Sequence, residues 1–412
     1  MNDARAIAEE TARASYGRLL AWLSSRSNDV AAAEDALADA FRAALETWPE
    51  RGAPNSPEAW LLTAARRKLI DGSRRKNTYK DSIPALTLAA EEAEIAMRDE
   101  APFPDERLKL LFICAHPAID AGVRTPLMLQ TVLGLDAARI ASAFLVSPAA
   151  MSGRLVRAKR KIKAAAIPFE PPEPQAWGPR IGAVLEAIYA AYGAGWDEID
   201  GSANANANLT GEAIFLARLT ANLIPDQGET WGLLSLMLHA EARRDARRKD
   251  GAYMPLGEQD LALWNQAMID EAEAALARAW KCGQVGAYQI EAAIQSAHVA
   301  ARLKGRDTTV DIVLLYEKLN ALAPTAGAAV GYAGALAAAG RFEDGFKVLD
   351  AMHPDQTKNY QAWWAVRAHI LNKLERKNEA KIAYDRAIGL AEDEATRRFL
   401  AAKRAALGKV RS

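Results

Sequence analysis

Six of the ten residues from Arg154 to Lys163 are cationic (Arg154, Arg157, Lys159, Arg160, Lys161 and Lys163), and no acid interrupts them. Side chains of that type at that density bind polyanions, phosphate backbones above all. Met151, Leu155, Ala158 and Ile162 recur within the same stretch at i, i+4, i+7 and i+11. The segment therefore reads as a helix with one apolar face and its cations in the remaining directions. Ser147 can cap this helix, and Pro148 suits its first position, where a missing N–H costs nothing. Just upstream, Ile140, Ala141 and Phe144 give a shorter helix an apolar edge, and the chain breaks at Leu145–Pro148. A helix, a tight turn and a second helix with one apolar and one cationic face form the layout of a DNA reader of the helix-turn-helix type. A merely solvated basic helix is the competing reading.

Over the 412 residues the charges cancel, 52 Lys plus Arg against 52 Asp plus Glu, so any partner preference lies in their distribution. Leu61–Lys80 holds Arg66, Arg67, Lys68, Arg74, Arg75, Lys76 and Lys80 against Asp71 alone. Residues 81–106 hold eight acids against Arg98. Adjacent basic and acidic blocks suit a surface that contacts nucleic acid in one place and avoids it in another. Cys114 and Cys282 lack metal-ligand spacing, which argues against a disulfide framework or a zinc site and for a reducing cytoplasm. Cys114-Ala-His116 has the residue types of a thiolate–imidazole pair, but it sits in the apolar run LKLLFICAHPAI, where a packed cysteine is expected. The five histidines are scattered, and neither a phosphate-binding glycine loop nor a nucleophile constellation is present. The chain is expected to be no enzyme and to need no cofactor or metal. The N-terminus lacks the apolar core of a signal peptide, and no apolar run approaches the roughly 18–20 residues that span a bilayer. A cytoplasmic protein without membrane contact is expected.

The elements that must position these residues are helices, because long Ala/Leu-rich segments with a period near 3.6 dominate; the fold class is all-α. Residues 5–25 form a first helix. Asn28 or Asp29 caps a second, with Val30, Ala33, Leu37, Ala40, Phe41 and Leu45 inside and Asp35 and Asp39 outside, beside Glu34. The loop Pro49–Pro57 is a strong breaker, and Ser56-Pro57 opens a third helix with Trp60, Leu61, Ala64, Ala65 and Leu69 inward. The acidic stretch 79–105 reads as a linker, 106–166 as a compact helical unit, and the proline run 167–176 as the clearest domain boundary. Beyond it, 177–320 is a helical extension with loops at Gly201–Asn208 and Arg243–Asp260. In 321–412, Ala333, Leu336, Gly345, Leu349 and Met352 match Ala368, Leu371, Ala380, Tyr384 and Ala387 at a spacing of about 35, near the tetratricopeptide (TPR) period.

These blocks resemble a known family. AEDALADAFRAALETWPERGAPNSPEAWLLTAARRKLIDGSRR (Ala33–Arg75) is similar to region 2 of an extracytoplasmic-function (ECF) sigma factor of the sigma-70 family. RLKLLFICAHPAI with LMLQTVLGLDAARIASAFLVSPAAMSGRLVRAKRKI, within Arg107–Ile162, is similar to region 4. LLSLML (Leu233–Leu238), ARRDAR (Ala242–Arg247), Trp264 and GAYQIEAAIQSAH (Gly286–His298) resemble the subgroup with a C-terminal TPR-like extension. The resemblance implies a sigma region 2 bundle at 1–78, region 4 at 106–166 and repeats at the C-terminus. It implies a non-catalytic subunit that gives RNA polymerase core its promoter choice, with core (β′ clamp and β flap) and promoter DNA as partners. The C-terminal helices would support or regulate that activity, and the short proline spacer, which restricts their reach, suggests that they fold back on the sigma regions. Glu34, Asp35, Asp39 and Phe41 match the polymerase-docking helix. Arg51, Asn55, Trp60, Arg66, Arg67, Arg74 and Arg75 match the minus-ten element's readers. Ser152, Arg154 and Arg157, followed by Lys159 and Lys161 on the same helix, match the minus-thirty-five recognition helix. Arg67 stands where the family usually has Asn. The alternative is a helix-turn-helix regulator with a protein-interaction repeat domain that never joins polymerase.

Overall fold

The computed structural model describes residues 2–76, 105–144, 146–165, 167, 169, 176–196 and 203–408. The expected linker 79–105 lies outside the described residues except for Asp105. Among the described residues the regular elements are helices apart from one short hairpin, in line with the 3.6-residue periodicity, and the chain forms two compact units that divide between Leu223 and Ile224.

The first unit opens with three helices, α1 (Asn2–Ser27), α2 (Val30–Arg51) and α3 (Pro57–Lys76). Asp29 caps α2 by accepting the Ala32 N–H at 3.1 Å. Leu19, Leu20 and Leu23 of α1, Ala33, Leu37, Ala40 and Trp48 of α2, and Leu61, Leu62 and Ala65 of α3 build one core. Two expectations need correction here. Leu45, expected inside, is 44% exposed, because the helical period carries the buried stripe from Ala40 to Ala44 and Trp48. Pro49 does not end α2, which runs on to Arg51. Its ring lies on the exposed side, where the Leu45 carbonyl that loses an N–H can meet water. Gly52, at φ 81°, makes the actual turn. Glu58 accepts hydrogen bonds from Ser15 and Arg18, pinning α3 to α1.

Four short helices follow: α4 (Glu106–Cys114), α5 (Ala121–Thr131), α6 (Ala137–Ala143) and α7 (Pro148–Ala164). Two longer ones, α8 (Gly178–Trp196) and α9 (Ala203–Leu223), belong to the same unit. The division therefore falls after α9 and not at the proline run. Its cause is burial: Val184, Leu185, Ile188 and Tyr192 of α8 are covered, and Arg180 donates to the Phe112 carbonyl at 3.1 Å. Arg107 ties α4 to α9 by pairing with Glu212 as well as with Asp105, at 2.8 Å from the latter. The segment Gly201–Asn208, expected to be a loop, is helical from Ala203.

In the second unit α10 (Gly228–Glu241) packs against α11 (Gln266–Lys281) and α12 (Ala287–Lys304). Antiparallel pairs continue through α13 (Thr309–Leu322), α14 (Ala326–Ala338), α15 (Phe342–Asp350), the single turn α16 (Pro354–Thr357), α17 (Gln361–Lys373), α18 (Lys377–Leu390) and α19 (Glu394–Ala405). Of the positions matched at about 35 residues, Ala333, Leu336, Gly345 and Leu349 are buried, as are Ala368, Leu371, Ala380 and Tyr384. The segment Arg243–Asp260, expected to be a loop, contains β1 (Arg248–Lys249) and β2 (Ala252–Tyr253), with Arg248 opposite Tyr253. Asp250 and Gly251, at φ 51° and 70°, form the kind of two-residue turn that closes such a hairpin. The α12 start is capped from outside. Glu229 of α10 accepts the backbone N–H groups of Tyr288 at 3.2 Å and Gln289 at 3.0 Å. Both are donors that a helix start leaves unpaired. Glu229→Ala is expected to destabilise the second unit by about 1–3 kcal/mol, read as a lower midpoint in a thermal melt followed by circular dichroism. An unchanged midpoint would refute the cap.

Candidate nucleic-acid interface

The cationic face is set by how α6 meets α7. The Val146 N–H donates to the Ala141 carbonyl at 3.0 Å, and Ser147 Oγ accepts the Ala150 N–H at 3.3 Å, so the turn is closed from both sides. Met151, Leu155, Ala158 and Ile162 are buried, as the spacing predicts. Ser152, Arg154, Arg157, Arg160, Lys161 and Lys163 are exposed. Among the described residues, no ion pair engages Arg154, Arg157 or Lys161. These three line an open groove of about 860 Å³ that is lined also by Pro117–Asp120 and the first turn of α5, through Arg124. Arg124 is fixed there, donating through Nε to the Ile119 carbonyl at 3.0 Å and through Nη2 to the Pro117 carbonyl at 3.2 Å. The one acid in the lining, Asp120, accepts the Gly122 N–H at 2.9 Å as the cap of α5. Four guanidinium or ammonium groups around one groove suit an anionic ligand with repeated phosphates. Arg124 was missed in the sequence because no helical period links it to α7; the fold alone brings it there.

Lys159 departs from expectation. It was expected on the DNA-facing side, but it is only 8% exposed, its ammonium paired with Glu34 of α2 and donating to Gln130 Oε1 at 3.0 Å. A signal was available. Position 159 lies at i+8 of the stripe that starts at Met151, within the apolar sector of the helix. Lys163, more exposed, pairs with Asp29 at 2.5 Å.

The residues that match the minus-ten readers lie around the start and outer face of α3. Arg51, Asn55 and Arg67 are exposed, and Arg66 is half-buried. Trp60 is half-buried and stands edge-on to Trp48, with ring centroids 5.5 Å apart and planes at 70°. Arg74 and Arg75 sit at the end of α3, their side chains outside the described residues. On α2, Asp35 is exposed, Asp39 pairs with Arg42 and lies 3.7 Å from Lys68, and Phe41 packs against the three-helix core. Glu34 faces Lys159.

Cys114 and His116 are not arranged as a thiolate–imidazole pair. Burial pushes the Cys114 thiol up to about 12, and its sulfur lies 3.6 Å from the Thr131 hydroxyl. His116 Nδ1 instead accepts the Ala118 N–H at 3.1 Å, and burial, with Arg180 and Arg124 nearby, holds the imidazole below its usual range. A thiol titrating near 12 is almost wholly protonated at pH 8 and therefore a poor nucleophile. The native chain is expected to release about one equivalent of thionitrobenzoate at pH 8, from the partly exposed Cys282, and a second only after denaturation. Two fast equivalents would contradict the burial of Cys114. Among the described residues, no group of three His, Cys, Asp or Glu could hold a metal ion, and no helix is long and apolar enough to cross a membrane.

Comparison with known proteins bears on these surfaces. Residues 12–78, which run from α1 through the end of α3, match the model of Sigma-70 region 2. Residues 180–280, from α8 into α11, match a family of unknown function (DUF6596). An uncharacterized protein of Rhizobium meliloti (strain 1021) is 36% identical over 365 residues, covering 87% of this chain and 86% of its own length. No solved structure matches the chain.

Proposed function

The chain belongs to the sigma-70 family, and from that premise we propose that it is an ECF-type sigma factor directing RNA polymerase core to a two-element promoter. The observation that carries the proposal is the coexistence of a region 2 bundle with a second, separate cationic face. That face comprises Arg154, Arg157, Lys161 and Arg124 on and beside α7. A sigma factor needs two DNA-reading surfaces and a docking surface for the enzyme. In this reading the region 2 bundle supplies the docking helix α2, with Glu34, Asp35 and Asp39. Arg51, Asn55, Trp60, Arg66, Arg67, Arg74 and Arg75 meet the opened minus-ten element, where cations track the backbone and an aromatic supports an unstacked base. The segment 106–165 acts as region 4, with α6 and α7 as its helix-turn-helix. Ser152, Arg154 and Arg157, in the first turns of α7, reach base edges in the major groove of the minus-thirty-five element. Lys161 and Arg124 hold phosphates.

The chain's own chemistry in this role is binding and orientation. No bond is made or broken by its side chains; promoter opening comes from charge placement and from the polymerase. The packing of α8 and α9 on α4 and α5 supports a role for the extension in holding region 4 in shape, in the cytoplasm where polymerase works. The helix pairs of the second unit, with their 35-residue spacing, suit a TPR-like protein-binding surface.

In vitro transcription with core polymerase and fragmented host DNA tests the reading. New start sites that share two spaced upstream elements are expected. Binding to DNA but never to polymerase would favour a plain regulator instead. On the promoter so found, Arg154→Ala is expected to cost about 1–3 kcal/mol and to relax sequence choice. Lys161→Ala is expected to weaken all sequences alike and to lower the salt slope by about one. Equal losses for Arg154→Ala on specific and random DNA would rule out base reading.

A further inference from the structure

Three stretches that the promoter-reading surfaces leave unused meet at α12 of the second unit. Arg243, just past the end of α10, donates to the Gln295 amide oxygen at 2.5 Å, and its guanidinium lies 5.8 Å from the centre of the Trp264 ring. Gln295 belongs to a line of polar residues. Glu291, Gln295, His298 and Arg302 recur at i, i+4, i+7 and i+11 of α12 and so share one face. That face is sunk among its neighbours, since no residue from Ala287 to Leu303 is exposed. Half-buried charges normally find partners. The two at the ends of this line have no counter-charge. Among the described residues no hydrogen bond or ion pair engages Glu291, and burial, then the Glu229 carboxylate, push its carboxyl up to about 7. Arg302 donates to a neutral group, the Gln259 carbonyl at 3.2 Å, while its buried Nε has no acceptor.

The surroundings of the two ends differ as their charges do. Tyr316 of α13 stands beside Glu291, and Tyr360 stands beside Tyr316; burial, then these two neighbours, raise the Tyr316 phenol, so it stays neutral. Gly331 of α14 makes room for the Tyr316 ring, since a Cβ there would fall 2.4 Å from it. A carboxylate next to neutral aromatic rings receives an ammonium or a guanidinium. At the other end Arg302 and Arg243 suit a carboxylate. Between them, burial and then Arg243 hold the His298 imidazole down to about 4, so at neutral pH it offers one donor and one acceptor, and Gln295 adds an amide. Groups of that kind pair with the N–H and C=O of an extended backbone, which makes no such bonds within itself. We propose that this face takes an extended polypeptide segment of a partner protein, with a Lys or Arg at Glu291 and an Asp or Glu at Arg302. Eleven residues of helix rise about 16 Å, and an extended chain covers that length in about five residues. The recognised segment therefore carries its basic and acidic residues about five positions apart. A segment without them would leave both charges unpaired, so charge placement sets the selection. This names the partner for the TPR-like protein-binding reading of the second unit, and it rests on that reading.

Dye-labelled peptides blocked at both ends, so that no terminal charge takes part, test the proposal by fluorescence anisotropy with the full chain. Each carries one Lys and one Asp in a Gly/Ser/Ala background, at separations from about two to about seven residues and in both orders. Binding is expected to peak near a separation of about five, in one order, which gives the direction of the bound segment. Glu291→Lys is expected to weaken the best peptide by at least about tenfold. The same peptide with its Lys replaced by Asp is expected to bind that variant as the original binds the parent, a rescue that a misfolded variant would not give. Arg302→Glu, with the peptide's Asp replaced by Lys, is the mirror test. Binding that ignores the separation, or that survives both reversals, would overturn the proposal and leave a general protein-binding surface standing. Equal binding of peptides that lack the Lys would reduce the face to an anion site and overturn it too. Failure of every peptide to bind would overturn it together with the protein-binding reading of the second unit, and none of these outcomes touches the sigma reading.

Discussion

The arrangement of the first unit depends on where one ammonium group goes. Taking a lysine head group out of water is costly unless a carboxylate and further hydrogen bonds receive it. Lys159 finds both, in Glu34 of α2 and Gln130 of α5, and only one rotation of α7 brings it there. That rotation buries Met151, Leu155, Ala158 and Ile162 together with Lys159, and it turns Arg154, Arg157 and Lys161 outward on the opposite side. Once they face that way, Pro117–Asp120 and the first turn of α5 become the second wall of their groove, and Arg124 joins them. The internal ion pair and the free cationic face are two consequences of a single helical setting.

Backbone proximity makes the setting specific. Charges alone would tolerate several registers, because a lysine stem is long and flexible. Gly17 against the Val132 carbonyl removes that freedom, since the helices approach to a distance no side chain permits. Glu58, bonded to Ser15 and Arg18, then fixes α3 to the same α1, so the surface at the start of α3 is set within the bundle that α1 anchors.

Much of this was legible in the sequence, for physical reasons. Periodicity gave the helices, the cap at Ser147 and the apolar stripe of α7, because those depend on neighbours within two turns. Three kinds of feature escaped it. Pro49 looked like a stop, but a proline on the solvent side of a helix loses only one hydrogen bond that water can replace. Lys159 looked like one more surface cation, because its residue type outweighed its position at i+8 of the stripe. Arg124 and the Glu229 cap on α12 depend on contacts between segments far apart in sequence, 59 residues apart for Glu229 and Tyr288, and no local pattern carries them. The Asp250-Gly251 hairpin turn was readable in principle, but strands of two residues are too short to show alternation.

The proline run misled for a different reason. Composition marks where a chain cannot continue a helix, and it says nothing of whether the helices on either side share a core. α4 shows that they do. Its Leu108, Leu110, Leu111, Phe112 and Ile113 are all buried, although they point in every direction around the helix. A helix that is apolar all round needs neighbours all round. α1 and α5 supply some of them, and α8 and α9 supply the rest. The segment after the prolines is thus a structural part of the first unit. A chain cut within the proline run would expose the apolar side of α4 and leave Arg107 without Glu212. Loss of activity in such a truncation would report a damaged core. Only a cut between Leu223 and Ile224 separates what the second unit contributes from what the first needs in order to fold.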